Sequence, residues 1–499
     1  MMQDLLARRI QLTPRPQNDS ALPLEVAMLG HCPGRVRPER LLALKDALAA
    51  IRQAGFGEVI DQILSNPASA SLYHLPLPLH SASEFHDIFP DAVSAPAQYR
   101  SSLAGNLAWL APCVEDFFAN GGHRLWIVVI PEEESQQGFF AAESTDLTDT
   151  STLRGIATLL AVPSVGSICL PDLERLQIPA RLPDIPRVRL DNPEPAFLPC
   201  SQSLDDDHRE RRNTSEMALD DLPEPIEFQR VLREVLHWLT RYRPDIQCLL
   251  TLPLAYASEI DSPDADPEAL ELLTNMQLSD AAHHLRQVQF FYPYLRGQGR
   301  ALLSPVGIVS GKQAATARSA GPWRSIAGQP MVSKNLPYPR IKRAGVVSLR
   351  ERPGISILEL RNNRIELDDE RLCVPALPAD DYRHAASLDR FDGYRSAELM
   401  RLMGYLRRQL RQFGEQLVFN SDVNDPRPKL LIEHFLRQLW QRGALRGERS
   451  EHAFSLRQIP AGESTLLLEI EIAPALPIDR IRLTFTNMGT DWQTEVQSA

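Results

Sequence analysis

The 499 residues read as a multidomain protein that joins an α/β region to an α+β C-terminal domain. Two patterns predict this. Before residue 255, three units in series run helix, turn, continuous apolar strand, the pattern of a largely parallel sheet covered on both faces. Over roughly the last hundred residues, two amphipathic helices precede strands of alternating polarity, so one face of that sheet packs and the other is wet. The length suits two or three domains, and 40 prolines cut the chain into short elements.

Residues 1–23 are polar, carry Pro14 and Pro16, and read as an extended arm. Region 24–320 opens with an apolar strand at Leu24–Leu29, ending in the turn GHCPGR. Arg37–Gly55 has helical spacing through Leu41, Leu42, Leu44, Leu48 and Ile51. SASEFHDIFP suggests a short helix capped by Ser83, with Phe85 and Phe89 inward. In the first helix–strand unit Trp109, Leu110, Val114, Phe117 and Phe118 recur at helical intervals, Gly121–Gly122 stops the helix, and LWIVVI (125–130) is the strand. The second unit is LRGIATLLAVPSVGSICLPDL and the third spans 227–254. Between them, 201–227 is charge-rich and apolar-poor, the composition of a solvated surface insert. Residues 321–392 read as an irregular connection.

The C-terminal domain is placed at 393–486, with 487–499 as a terminal arm. Leu399, Met403, Leu406, Leu410, Phe413 and Leu417 form one helical stripe, so Arg401, Arg407, Arg408 and Arg411 are expected to face solvent or a partner. Asp425 and Pro426 suit a helix start, followed by the apolar set Leu431, Ile432, Phe435, Leu436, Leu439 and Trp440 and a stop at Gly443. The opposite face of that helix shows Lys429, Glu433, Arg437 and Gln441. Leu466, Leu468, Ile470 and Ile472 alternate along one strand, and Ile481, Leu483 and Phe485 along another.

A net charge of -11 argues against general nucleic-acid binding. No apolar run approaches the roughly 20 residues that span a bilayer, and the N-terminus lacks a secretory core, so the chain is expected in the cytosol. Cysteines 32, 113, 169, 200, 248 and 373 form no CxxC pair and read as buried small hydrophobes. SPVGIVSGKQ has three residues between Gly307 and Gly311 where a phosphate loop has four, and Gln313 where a metal-facing hydroxyl belongs. His283 and His284 are adjacent and cannot share a metal as an i, i+4 pair can. Cys113 and His123 lack any orienting third group. No catalytic set, metal site or cofactor motif emerges, and the expectation is a non-enzymatic protein.

Several phrases occur in an order that resembles the contractile tail sheath proteins of phage tails, R-type pyocins and extracellular contractile injection systems. They are VAMLGHCPG, SASEFHDIF, FFANGGHRLWIVVI, LRGIATLLAVPSVGSICLPDL, FFYPYL with SPVGIVSG and AGPWRSIAG, GVVSLRERPGI, VFN, GALRG and EIAPALPIDRIRL. A family phrase of the type T-P-G-V-Y-x-E-E is missing, as is W-G-A-R-T, which fits a divergent or minor member. The resemblance implies a C-terminal sheath domain completed by the N-terminal segment, with α/β regions inserted outside it. It implies a structural subunit that forms six-fold rings stacked round an inner tube and contracts, with baseplate and tail-terminator proteins as further partners. It places assembly in the cytoplasm, in a particle that can be released. Lys429, Arg437, Arg442 and Arg446 become the expected tube contacts, and Ile481, Leu483 and Phe485 the expected inter-subunit strand. A minor ring near the baseplate is the alternative within the family, and an α/β enzyme the alternative outside it.

Overall fold

The apolar runs of the first half are strands because β-branched and aliphatic side chains fill both faces of one sheet. The computed structural model describes residues 23–32, 36–67, 71–90, 108–142, 145–178, 226–255, 265–297, 302–341, 349, 354–374, 395–417, 426–460, 466–475, 481–487 and 492–498. The expected N-terminal arm, nearly all of the 201–227 insert, VFN at 418–420 and the Asp425 cap lie outside these residues.

In chain order the elements are β1 (Glu25–His31), α1 (Lys45–Ile51), α2 (Gly57–Ser65), β2 (Pro76–Leu79), α3 (Ala82–Ile88), α4 (Leu110–Ala119), β3 (Leu125–Ile130), β4 (Val165–Cys169) and α5 (Pro171–Arg175). There follow α6 (Phe228–Tyr242), β5 (Gln247–Thr251), α7 (Pro267–Gln277), β6 (Val288–Tyr292), β7 (Tyr294–Arg296), β8 (Leu302–Leu303), α8 (Val306–Ala320), β9 (Leu336–Tyr338), β10 (Ser356–Arg361) and β11 (Arg364–Leu367). The C-terminal part comprises α9 (Ala397–Leu417), α10 (Arg427–Gln441), α11 (Ser450–Ala453), β12 (Phe454–Pro460), β13 (Leu466–Ile472), β14 (Ile481–Asn487) and β15 (Trp492–Ser498).

The large sheet has the order β11-β10-β6-β5-β4-β1-β3-β2. Its inner strands run parallel, from β10 through β6, β5, β4 and β1 to β3. β2 and β11 close its two ends antiparallel. The short β8-β7-β9 sheet lies beside it in sequence, and β12-β13-β14-β15 is an antiparallel meander. The class is therefore the mixed α/β and α+β arrangement expected.

Several local expectations change. Helix α3 is capped by Ser81 and not Ser83: the Ser81 hydroxyl accepts from the Glu84 N–H at 3.2 Å, while the Glu84 carboxylate accepts from the His80 N–H at 2.7 Å. The first helical run continues past Gly55, which turns at φ +91, into α2. Residues Gly155–Ala161 form a 3-10 helix ahead of Pro163, not a full α-helix. The connection at 321–392 is not irregular throughout, since β9, β10 and β11 lie in it and two of them extend the large sheet.

Two cores result. One fills the large sheet and its helices. The other joins α9 and α10 to Leu468, Ile470 and Ile472 of β13, and takes in Trp323, Leu372 and Val374 from the connecting region.

Candidate assembly surfaces and the sites that carry no chemistry

The first half of helix α9, residues 397–406, is buried all round, because it is clamped between the two cores. The expectation that its arginines face solvent or a partner is corrected for Arg401 and Arg408, which the α/β region of the same chain takes. Arg401 is 2% exposed and grips Glu370 with both terminal nitrogens, at 2.8 and 2.9 Å. Glu370 also accepts from Gln313 Nε2 and the Ile326 N–H, each at 2.8 Å. Burial would raise the Glu370 carboxyl, yet the Arg401 charge and these hydrogen bonds hold it below its usual range. Arg408 donates to the Asp245 carbonyl at 2.8 Å, and Arg407 to the Pro244 carbonyl at 2.8 Å. Beneath them, buried Arg243 pairs with Asp245 at 2.9 Å and donates to the Val165 carbonyl at 2.7 Å. Gly404 makes this approach feasible, since a Cβ there would stand 2.2 Å from the Asp245 carbonyl oxygen. Arg411 stays exposed, in an ion pair with Glu415.

Helix α10 buries Pro428, Ile432, Phe435, Leu436 and Leu439. Phe435 meets Tyr405 and Phe413 of α9 with ring centroids 6.1 and 5.4 Å apart. Lys429, Leu430, His434, Arg437 and Gln438 are exposed. Lys429 and Arg437 share one face, eight residues or about 12 Å apart along the axis. Arg437 donates to Glu433 at 2.8 Å. Arg442 is half-buried at the helix end, where burial pushes Tyr405 up to about 12 and the Arg442 charge opposes the shift. Arg446 is exposed on the loop behind Gly443, and its N–H donates to the Ala473 carbonyl at 2.8 Å. The four sequence-chosen cations thus fall on one helix face and the loop that ends it.

Strand β14 lies inside the meander. Ile481, Leu483 and Phe485 stand opposite Ile472, Ile470 and Leu468 of β13, and opposite Ser498, Val496 and Thr494 of β15. Both hydrogen-bonding edges of β14 are taken within the chain, and the tail placed at 487–499 as an arm supplies β15. The open edges of this sheet are β12 and β15. Sequence pattern gave no sign of β15, because WQTEVQS carries too few apolar residues to alternate visibly.

The sequence features that hinted at chemistry have structural uses. Gly307 and Gly311 lie in the N-terminal half of α8, where added Cβ atoms would come within 2.7 Å of the Cys113 carbonyl oxygen and 2.3 Å of that of Phe117. They let α8 cross α4 at close range, and no phosphate cradle forms. Cys113 directs its thiol toward the Ser304 carbonyl at 3.7 Å, and burial pushes it well above the usual thiol range. His284 meets the Thr240 hydroxyl at 3.0 Å.

The crevice at the carboxyl ends of β1, β3 and β4, where open α/β sheets commonly bind ligands, is filled by α5. Buried Asp172 accepts from the N–H groups of His31, Trp109 and Leu110 at 2.8–3.0 Å and pairs with Arg175 at 2.9 Å. Arg175 reaches Glu132 at 3.0 Å. Glu174, fully buried, is pushed up to about 8 by burial, with the Ser304 and Thr251 hydroxyls opposing the shift. Among the described residues, no three or more His, Cys, Asp and Glu side chains are grouped to hold a metal ion. Among them, no helix is long and apolar enough to cross a membrane.

No protein-family model and no curated protein matches the chain by sequence. Solved structures do match by fold. A chain of the anti-feeding prophage baseplate in its contracted state superposes with a TM-score of 0.56 at 16% identity, covering 94% of each chain. The anti-feeding prophage helical sheath in its contracted state gives a TM-score of 0.51 at 14% identity, covering 94% of this chain and 98% of the other. Over about 94% of its length, then, this chain has the fold of the sheath proteins of contractile injection systems.

Proposed function

We propose that the chain is a structural, non-enzymatic subunit of a contractile injection-system sheath, which assembles around an inner tube and contracts to drive it through a target envelope. The observation that supports this most is the likeness to a helical sheath over nearly the full length of both chains. Copies of the chain are its main partner, in six-fold rings stacked helically, with baseplate and terminator proteins at the ends. Assembly takes place in the cytoplasm, and the finished particle can leave the cell.

Contact with the tube falls to Lys429, Arg437, Arg442 and Arg446. Three of these are exposed, and opposite charge on a tube surface would set register and encounter rate more than raw affinity. Such contacts are screened by salt, which suits a metastable extended state held by many weak bonds. The inter-subunit strand containing Ile481, Leu483 and Phe485 can pair with a neighbour where β15 or the whole β14–β15 hairpin is exchanged between subunits; otherwise β15 offers its outer edge in its place.

Negative-stain microscopy of the purified chain, alone and with its neighbouring tube protein, tests the proposal. Striated hollow cylinders or stacked rings are expected, and dispersed monomers in both samples would overturn it. Charge reversal at Arg437 and Arg442 together should abolish co-assembly with the tube while the protein stays folded. A minor ring close to the baseplate is the second reading, supported by the likeness to a baseplate chain. It predicts single rings and no cylinders.

A further inference from the structure

Helix α6 has two working faces. Val231, Val235, Trp238 and Leu239 point into the large core. The other flank runs from Gln229 to Arg241 in steps of three and four, about 18 Å along the axis. It forms one wall of an open groove of about 470 Å³, and α7 with His284 forms the other. Leu232, Leu236, Leu272 and Met276 make an apolar floor. Beyond it, at the end of α7, Leu278 stands 83% exposed. The polar rim carries Arg233, His237, Arg241 and His284 beside the neutral Gln229 and Thr240. Among the described residues no carboxylate lines the groove, although the chain as a whole carries a net charge of -11.

We propose that this groove takes a short amphipathic helix of a partner protein, apolar on one face and flanked by carboxylates. Three features select that occupant. The trough is open at the top and lined along about 18 Å of α6, which suits about three turns of helix better than a compact small molecule. Its floor accepts aliphatic side chains spaced i, i+3, i+4 and i+7. Its rim, cationic along α6, pairs with Asp or Glu on that side and would repel a basic helix. The groove belongs to the α/β region and lies on different elements from the α10 face, so the proposal stands whether or not the chain builds a sheath.

The test is fluorescence anisotropy on the full chain with three labelled, helix-stabilised synthetic peptides. The first carries leucines at i, i+3, i+4 and i+7 flanked by glutamates; the second has lysine for every glutamate; the third has alanine for every leucine. Saturable binding of the first peptide alone is expected. The exposed double variant Arg233→Glu/Arg241→Glu should weaken it about tenfold or more and admit the lysine peptide instead. Met276→Arg, which places a charge on the floor, should also weaken it. Failure of the glutamate–leucine peptide to bind, equal binding of the glutamate and lysine peptides, or survival of binding without the leucines would overturn the proposal. So would binding that appears only after Asp205, Asp206, Asp207, Asp220 and Asp221 are changed to Asn, since the chain itself would then fill the groove. A change in sedimentation of the protein alone on Arg233→Glu/Arg241→Glu would assign the groove to a second copy and overturn the partner-protein assignment.

Discussion

Arg401 has left water to hold two parts of the molecule together, and the cost of removing it follows from that. A buried ion pair contributes little over a well-packed apolar pair, but breaking one partner strands the other charge. Arg401→Met should destabilise the protein by about 3–5 kcal/mol in denaturant melts, and adding Glu370→Gln should recover part of the loss. Glu174 makes the opposite kind of statement. Its carboxyl keeps its proton in the folded protein up to about 8, against an ordinary value of 4.5. The folded state therefore binds a proton that the unfolded chain releases, so the stability this group contributes is fully present below pH 4.5 and drains away as pH rises toward 8. Asp116, pushed up to about 7 chiefly by burial, acts in the same direction. Glu174→Gln should flatten the fall in melting temperature between about pH 5 and about pH 8. A fall as steep as the parent's would show that Glu174 is ionised in the fold.

At the scale of elements, the α4–α8 crossing depends on two missing side chains. An exposed helical glycine changed to alanine commonly gains up to about 1 kcal/mol. At Gly311 the new Cβ would lie 2.3 Å from the Phe117 carbonyl oxygen, and overpacking of this kind costs about 1–3 kcal/mol, so the clash should win. Gly311→Ala is expected to lower the thermal midpoint, whereas Lys312→Ala on the same helix is not. The strands make a second case. Ending the chain after Asn487 removes β15 and leaves the β14 ladder open. The truncated protein should self-associate in sedimentation, and a synthetic peptide of residues 488–499 should reverse this. Helices and buried strands were legible because their apolar periods are strong, as with LWIVVI and the Leu399–Leu410 stripe. β15 was not, because an edge strand needs only backbone pairing and little apolar sequence. Ser81 and Ser83 are equivalent on paper, and only the turn geometry after β2 chooses between them.

At the scale of the whole molecule, the mixed α/β and α+β class was legible in the sequence. The role of α9 as an element shared by both regions was not legible. A helix with one apolar stripe and arginines elsewhere is normally half-solvated. Here the arginines find carbonyls and a carboxylate between 31 and 163 residues away, and long-range pairing of that sort leaves no local trace. If α10 meets the tube through charge, co-assembly should weaken steadily as salt rises past the point where the Debye length falls below about 8 Å. Assembly indifferent to salt would remove Lys429, Arg437, Arg442 and Arg446 from that role.

The grip on α9 also determines how the subunit bears load. Gly404 leaves no clearance against the strand-end carbonyl beneath it, and ionic clasps sit at two levels along the shaft. A push on the cationic face cannot be absorbed by the helix slipping or rolling, as it would be at a greased bearing. It would pass to the eight-stranded sheet, so that in the stack proposed above the subunit would act like a keyed axle and compliance would lie in the joints between subunits.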